Sequence, residues 1–293
     1  MKNIRLLVVD KPVGPTSHQV VTLIRRGTGI RKVGHAGTLD PRASGVLILC
    51  LGSATRLSEY LSTSSKQYEA VVRFGSATRT YDAEGDVIYE TGESPTKREI
   101  MKYLPEFTGE IQQVPPPYSA IKVKGKKAYE LARDGKDVEL ESRSVNISKL
   151  EIASYRPPDL SLRIECSAGT YIRSLAHDLG QRMGTGAYLA GLRRTKAGPF
   201  KIEDATPLAM LEVGFIAENW EQYVIPAAEA LPDFPIIAVN GESLKKLRNG
   251  HRIEAEPGSE GLARALDPEG ELVAVLEAVE DGTLWHPVKV FQT

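Results

Sequence analysis

Apolar residues along this chain recur with two different periods. Val46-Leu47-Ile48-Leu49-Cys50-Leu51 is apolar without alternation, the pattern of a strand buried on both faces. Ile4-Arg5-Leu6-Leu7-Val8-Val9 reads as another strand, closed by the turn chemistry of Asp10-Lys11-Pro12-Val13-Gly14-Pro15. Leu160 to Cys166 alternates cleanly, as a half-buried strand should, and Lys66 to Phe74 alternates in part. Helical spacing links Val20, Val21 and Ile24, with Ser17 as the expected N-cap of a short helix to about Arg26. It returns at Ile172, Leu175, Ala176, Leu179 and Met183, which share one side of a helix and leave Arg173 off the buried stripe in the first turn. Gly52 to Arg56 opens a further helix to about Leu61. Thr78 to Asp86 is a polar hairpin or loop, and Thr96-Lys97-Arg98-Glu99 is a capping box.

Toward the C-terminus the pattern changes. Pro207, Pro226, Pro232 and Pro235 stand in an acidic stretch, which places a domain boundary near Leu231 and divides the chain into residues 1–231 and 232–293. In the second part, Ile236 to Val239, a helix from Ser243 to Arg248 stopped by Gly250, and runs at Leu262–Leu266, Leu272–Val279 and Leu284–Phe291 predict a small β-rich module.

The 293 residues are 41% hydrophobic and 26% charged, the composition of a soluble globular protein large enough for one big domain and a smaller one. No run reaches the roughly 18 apolar residues of a membrane span, and the apolar stretch behind Met1 is too short for a secretory signal. Cys50 and Cys166 lie in apolar, strand-like runs and read as buried thiols in a reducing cytoplasm. No phosphate loop, dinucleotide-binding glycine pattern or zinc spacing is present.

A net charge of −1 hides a division along the chain. Residues 1–66 carry ten Lys and Arg against three Asp and Glu, residues 114–136 six against two, and residues 161–201 seven against two. Residues 202–233 carry seven acids and no base. If the three basic segments converge they make one positive face, as a phosphate backbone requires.

Gly34-His35-Ala36-Gly37-Thr38-Leu39-Asp40-Pro41-Arg42-Ala43-Ser44-Gly45 packs three glycines and a proline into a dozen residues. It reads as a tight, irregular loop running into the buried strand, with Asp40 as its only acid. Asp-Pro by itself marks an ordinary turn. Gly34 to Pro41, however, resembles the catalytic loop of the TruB family, the tRNA pseudouridine synthases that modify the T-loop uridine. Lys11-Pro12-x-Gly14-x-Thr16-Ser17 resembles the family's first motif, Lys66-x-Tyr68-x-Ala70 its second, and Gly169-Thr170-Tyr171-Ile172-Arg173 its third. Leu189-Ala190-Gly191-Leu192-Arg193-Arg194-Thr195 resembles the last motif of the catalytic domain. The resemblance also covers the stiff, basic stretch Pro115 to Lys127 with Tyr118 and, just beyond, Tyr129. The C-terminal module looks like an RNA-binding PUA domain.

The resemblance implies an α+β fold, with a catalytic domain around a central, largely antiparallel sheet and a small PUA-like domain after it. It implies conversion of uridine 55 of tRNA to pseudouridine without metal or cofactor, with the tRNA T stem-loop as partner, no obligatory protein partner and a cytoplasmic location. Asp40 would be the catalytic carboxylate, Arg173 its partner and Tyr68 the ring lying against the reacting base. His35 would fill or brace the space left in the RNA loop, Leu192 would wall the pocket, Tyr171 would contact the base, and Lys11 would belong to the same binding set.

The chemistry suits so small a set of groups. The bond from uracil N1 to C1′ breaks, the base turns, and C5 joins C1′, with no electron acceptor, hydride carrier or hydrolytic water. A carboxylate is charged at neutral pH without help, and a guanidinium fork can fix its orientation with two hydrogen bonds. Whether Asp40 bonds to the sugar or abstracts a proton is left open by the residues. A stacked uridine is out of reach and has to flip out, at a cost of a few kcal/mol. A glycoside hydrolase would need a second carboxylate about 5 to 9 Å away, and the spacing pairs none of Asp82, Glu84 and Asp86 with Asp40. A non-catalytic RNA-binding protein would use the same basic face and have no chemical product.

Overall fold

The structure, a computed structural model, describes residues 4–119, 121–123, 125–128, 131 and 140–291. The chain forms two compact units, residues 1–62 with 196–293, and residues 63–195. The fold is α+β with largely antiparallel pairing, as expected. No helix among the described residues is long and apolar enough to cross a membrane. Tyr129 lies outside the described residues.

In the first unit, strand Ile4–Lys11 runs antiparallel to Ala43–Gly52, with Val8 opposite Ile48 and Lys11 opposite Gly45. Val33–His35 also pairs with Ala43–Gly52. Val46 to Leu51 are all buried, so the unbroken apolar run does mark a strand covered on both faces. The first helix, Ser17–Thr28, corrects the expected cap. Thr16 is the N-cap: its hydroxyl accepts from the Gln19 N–H, and the Gln19 side chain accepts from the Thr16 N–H. That reciprocal box needs Gln or Glu three residues on. Thr16 has Gln19 there, whereas Ser17 has Val20. After Gly52, a 3-10 turn Ser53–Leu57 and a short helix Ser58–Thr63 replace the single helix expected. Thr55 and Ser58 hydroxyls donate to the carbonyls of Gly52 and Thr55, local bonds that compete with a regular helix.

The C-terminal part of this unit is a five-stranded sheet in the order Ile236–Ala238, Leu262–Leu266, Leu272–Val279, Leu284–Val290, Ile253–Glu254. The two-residue strand Ile253–Glu254 escaped the pattern analysis. Strand Leu272–Val279 is apolar on both sides because each side has its own core. Leu272 and Val275, with Phe291, join Ile4, Leu6 and Ile48, while Val273, Ala274 and Leu276 join Val239, Leu247 and Trp285. Arg5 forks onto the Glu271 carboxylate at 2.8 and 3.0 Å.

In the second unit, Lys66–Phe74, Asp159–Cys166, Arg143–Arg156 and Gly109–Gln113 run antiparallel in that order. One face carries a core that includes Ala70, Val72, Ile164, Leu175 and Leu179. Helix Ile172–Met183 contributes the stripe predicted for it. Its Gly180 is a packing requirement, since a Cβ there would lie 2.0 Å from the backbone nitrogen of Ala187. Arg173 lies off the apolar stripe yet is only 8% exposed, because the loop between Ser76–Thr78 and Val87–Glu90 covers that side of the helix start.

Candidate active site

Asp40 lies half-buried on the loop between Val33–His35 and Ala43–Gly52. Its neighbours are tied down on both sides. Ser17, 2% exposed, donates from Oγ to the Leu39 carbonyl at 2.9 Å and accepts from the Leu39 N–H at 2.8 Å. One hydroxyl therefore satisfies both backbone groups of the residue before Asp40. On the other side, the Gly14 N–H donates to the Pro41 carbonyl at 2.9 Å, and the Ala43 N–H donates to the Asp40 carbonyl at 3.0 Å. Gly14 and Gly37 have φ of 119° and 106°, backbone shapes that only glycine adopts readily.

Lys11 is fully buried, and its ammonium donates to the carbonyls of Pro12 and Pro15 at 2.8 Å each. That bracing stiffens the turn from which Gly14 reaches Pro41. His35 ends its strand half-buried, opposite Leu49. Lys11, His35 and Asp40 thus share one unit, built around the Ala43–Gly52 strand and the loop before it.

The other predicted residues belong to the second unit. Tyr68 stands opposite Ile164, and Tyr68 and Leu192 pack, partly buried, against the same core cluster. Tyr171 is the N-cap of helix Ile172–Met183. Its N–H donates to Gln113 Oε1 at 2.7 Å, its carbonyl accepts from Gln113 Nε2 at 3.0 Å, and the Arg143 guanidinium sits 4.6 Å from its ring centre. Gln113 is 1% exposed. Sequence reasoning missed it, although a polar residue closing a strand just before Pro115-Pro116-Pro117 was a usable signal.

Arg173 donates to the Tyr118 carbonyl at 3.1 Å and the Thr80 carbonyl at 3.4 Å, and its Nη1 lies 3.5 Å from the Asp82 carboxylate. Asp82 is itself fixed: the Thr80 hydroxyl and the Glu84 N–H donate to its Oδ1. Asp82 was indistinguishable in sequence from Glu84 and Asp86. Only the fold of the hairpin selects it as a carboxylate beside Arg173. Between Thr80 and Asp82, Tyr81 has a φ of 65°, which for a bulky residue costs about 1–3 kcal/mol.

Burial sets the charges around these groups. It pushes the Lys66 ammonium down to about 8, helped by the Arg194 guanidinium nearby. It raises the Asp178 carboxyl to about 6 and lowers the His177 imidazole. The thiols of Cys50 and Cys166 rise to about 12 and about 11 for the same reason, which makes both unreactive. Among the described residues no group of three or more His, Cys, Asp or Glu side chains is placed to hold a metal ion.

Known proteins carry the same arrangement along the chain. Residues 25–172 match the model of the TruB family pseudouridylate synthase N-terminal domain. Residues 173–231 match the tRNA pseudouridylate synthase B C-terminal domain, and residues 234–292 the C-terminal region of tRNA pseudouridine synthase II. The chain is 43% identical over 291 residues to the tRNA pseudouridine synthase B of Ruegeria pomeroyi, covering 97% of this chain and 94% of that one. It is 41% identical over 283 residues to the enzyme of the same name from Pseudomonas aeruginosa, covering 95% and 93%. Among solved structures, a Cbf5-Nop10-Gar1 complex is similar with a TM-score of 0.74 and 28% identity, over 98% of this chain and 85% of that chain. An H/ACA RNP bound to a substrate RNA containing 2'-deoxyuridine gives 0.73 and 26%, over 99% and 85%. Matches that run through every motif from the Asp40 loop to the C-terminal module, at this identity and coverage, make the chain a member of the TruB family of pseudouridine synthases, which isomerise uridine in tRNA to pseudouridine.

Proposed function

We propose that the uridine isomerised is number 55, in the T-loop of tRNA, and that Asp40 is the carboxylate that drives the reaction. Arg173 orients Asp40, Tyr68 stacks on the everted base, and Leu192 closes one wall of its pocket. Tyr171 contacts the base, His35 braces the RNA loop, and Lys11 stiffens the turn beneath Asp40. In the reaction N1–C1′ breaks, C5–C1′ forms, the C5 hydrogen leaves as a proton and the freed N1 takes one up, so atoms and electrons balance without metal or cofactor. The observation that most supports this reading is the double hydrogen bond of Ser17 to Leu39. It holds the backbone beside Asp40 rigid, as a preorganised catalytic group requires. Residues 232–293 act as an RNA-binding module on the tRNA, and the enzyme works in the cytoplasm without an obligatory protein partner.

The test is tritium release from C5-labelled uridine in unmodified tRNA. Asp40→Asn abolishes release while tRNA binding persists, and turnover within about tenfold of wild type would refute the assignment. Arg173→Lys is severely impaired because a single ammonium cannot reproduce the fork. Free uracil among the products would mark a glycosidase instead.

A further inference from the structure

The hairpin that carries Asp82 is held in a backbone shape its sequence disfavours, and the side chain it rests on belongs to the helix that carries Arg173. Tyr81 occupies the left-handed region at φ 65°, where a bulky residue is a genuine outlier. Its ring lies flat on the His177 imidazole, with centroids 3.7 Å apart and 8° between planes. Its carbonyl accepts from the Leu189 N–H at 2.9 Å. Arg173 and His177 are four residues apart on one helix, so they stand on the same face a turn apart. Two consecutive hairpin residues therefore meet two consecutive turns of the helix: Tyr81 on His177, and Asp82 beside Arg173.

We propose that His177 is a positioning residue of this enzyme, whose face-to-face stack with Tyr81 sets the placement of Asp82 and so the aim of the Arg173 guanidinium. The inference rests on the reading of Arg173 as the arginine that serves Asp40. What His177 contributes is the face of its ring. Its Nδ1 is buried without a hydrogen-bond partner among the described residues, and burial lowers its pKa, so near neutral pH it is an uncharged plate. The stack adds a side-chain restraint to the backbone bonds with Leu189 and Thr78 that hold Tyr81 at its strained φ, and Asp82 is the next residue along the chain.

Single-turnover tritium release at saturating full-length enzyme, with tRNA affinity and thermal melting measured alongside, tests this. His177→Ala slows the bound-state rate by at least about tenfold while tRNA affinity stays within about twofold, and His177→Phe, which keeps the plate, restores the rate to within about threefold. Tyr81→Gly suits the left-handed backbone but removes the ring, and it slows the rate as much as His177→Ala. The double variant is no slower than either single one, because both remove one interaction. Asp82→Asn is the reference. If it keeps the wild-type rate, Asp82 does not aim Arg173 and this inference fails, while the role of Arg173 itself is decided by Arg173→Lys. If it is slow while His177→Ala and Tyr81→Gly stay within about twofold of wild type, the role of Arg173 stands and the stack is refuted. Should His177→Ala not fold, His177→Phe decides together with Tyr81→Gly: a His177→Phe rate as low as that of Asp82→Asn overturns the proposal.

Discussion

Ser17→Ala isolates what the clamp on Leu39 does. The substitution deletes one oxygen and strands two backbone groups, the Leu39 N–H and carbonyl, at a residue only 3% exposed. A buried polar group left without a partner costs about 1–3 kcal/mol. Partial relaxation of a surface-connected loop puts the two together nearer about 2–4 kcal/mol than their full sum. At roughly 2–4 °C per kcal/mol for a domain of 150–250 residues, the first thermal transition falls by about 4–16 °C. Amide hydrogen exchange in a peptide spanning the loop rises well beyond the global change, because the lost bonds are local. The rate of C5 tritium release falls at least about tenfold, since the lost bonds held the residue beside Asp40. Thr16→Ala is the control. It removes the capping box, costs about 1 kcal/mol, and leaves Ser17 on Leu39, so the rate holds within about twofold. The reasoning is refuted if Ser17→Ala melts and reacts like wild type, or if Thr16→Ala loses as much rate as Ser17→Ala.

Two further outcomes follow from packing and from charge. Gly180→Ala drives a methyl group to 2.0 Å from the Ala187 nitrogen and 2.4 Å from the Gly186 carbonyl carbon; backbone cannot yield there, so the variant loses about 3 kcal/mol or more and partitions into the insoluble fraction on expression. Asp178, raised to about 6 by burial, holds its proton more tightly folded than unfolded, so it lowers stability progressively as pH rises from about 4 to about 6. Asp178→Asn therefore stabilises the protein at pH 7, by no more than about 2 kcal/mol after solvent screening, and loses its advantage below pH 4 in urea titrations; an equal gain at both pH values would contradict the assignment.

The elements legible in the sequence are those whose burial is written locally. Val46 to Leu51 and Leu160 to Cys166 carry their own pattern, and the stripe on helix Ile172–Met183 likewise predicts what that helix buries. The features that escaped depend on partners far along the chain. Ser17 looked like a cap because Ser before an apolar run usually is one. Its hydroxyl is instead taken by Leu39, 22 residues away, and the capping falls to Thr16. Arg173 reads as lying off the buried stripe because helical periodicity describes one element alone, whereas Thr80, Asp82 and Tyr118 come from two other segments to cover it. Asp40, Tyr68 and Leu192 are singled out only by resemblance to known motifs, since an Asp-Pro turn, a strand tyrosine and a core leucine each have commoner explanations.

The two units hold the side chains proposed for the reaction by different means, and the difference suits the roles proposed for them. The bonds that fix the Asp40 loop fall on the backbone of Leu39, Asp40 and Pro41, so they hold the chain on either side of the carboxylate in place. Arg173 is held through its guanidinium itself, by Asp82 and two carbonyls. A guanidinium can bear this because it has five donors in one plane. Contacts to Asp82, Thr80 and Tyr118 lock the plane of the guanidinium. A lysine in the same place has three donors on one rotating nitrogen. It can satisfy the carbonyls or reach a carboxylate, but it has no plane to lock. Loss of activity in Arg173→Lys, with the positive charge retained, would therefore assign the role of this residue to orientation rather than to charge.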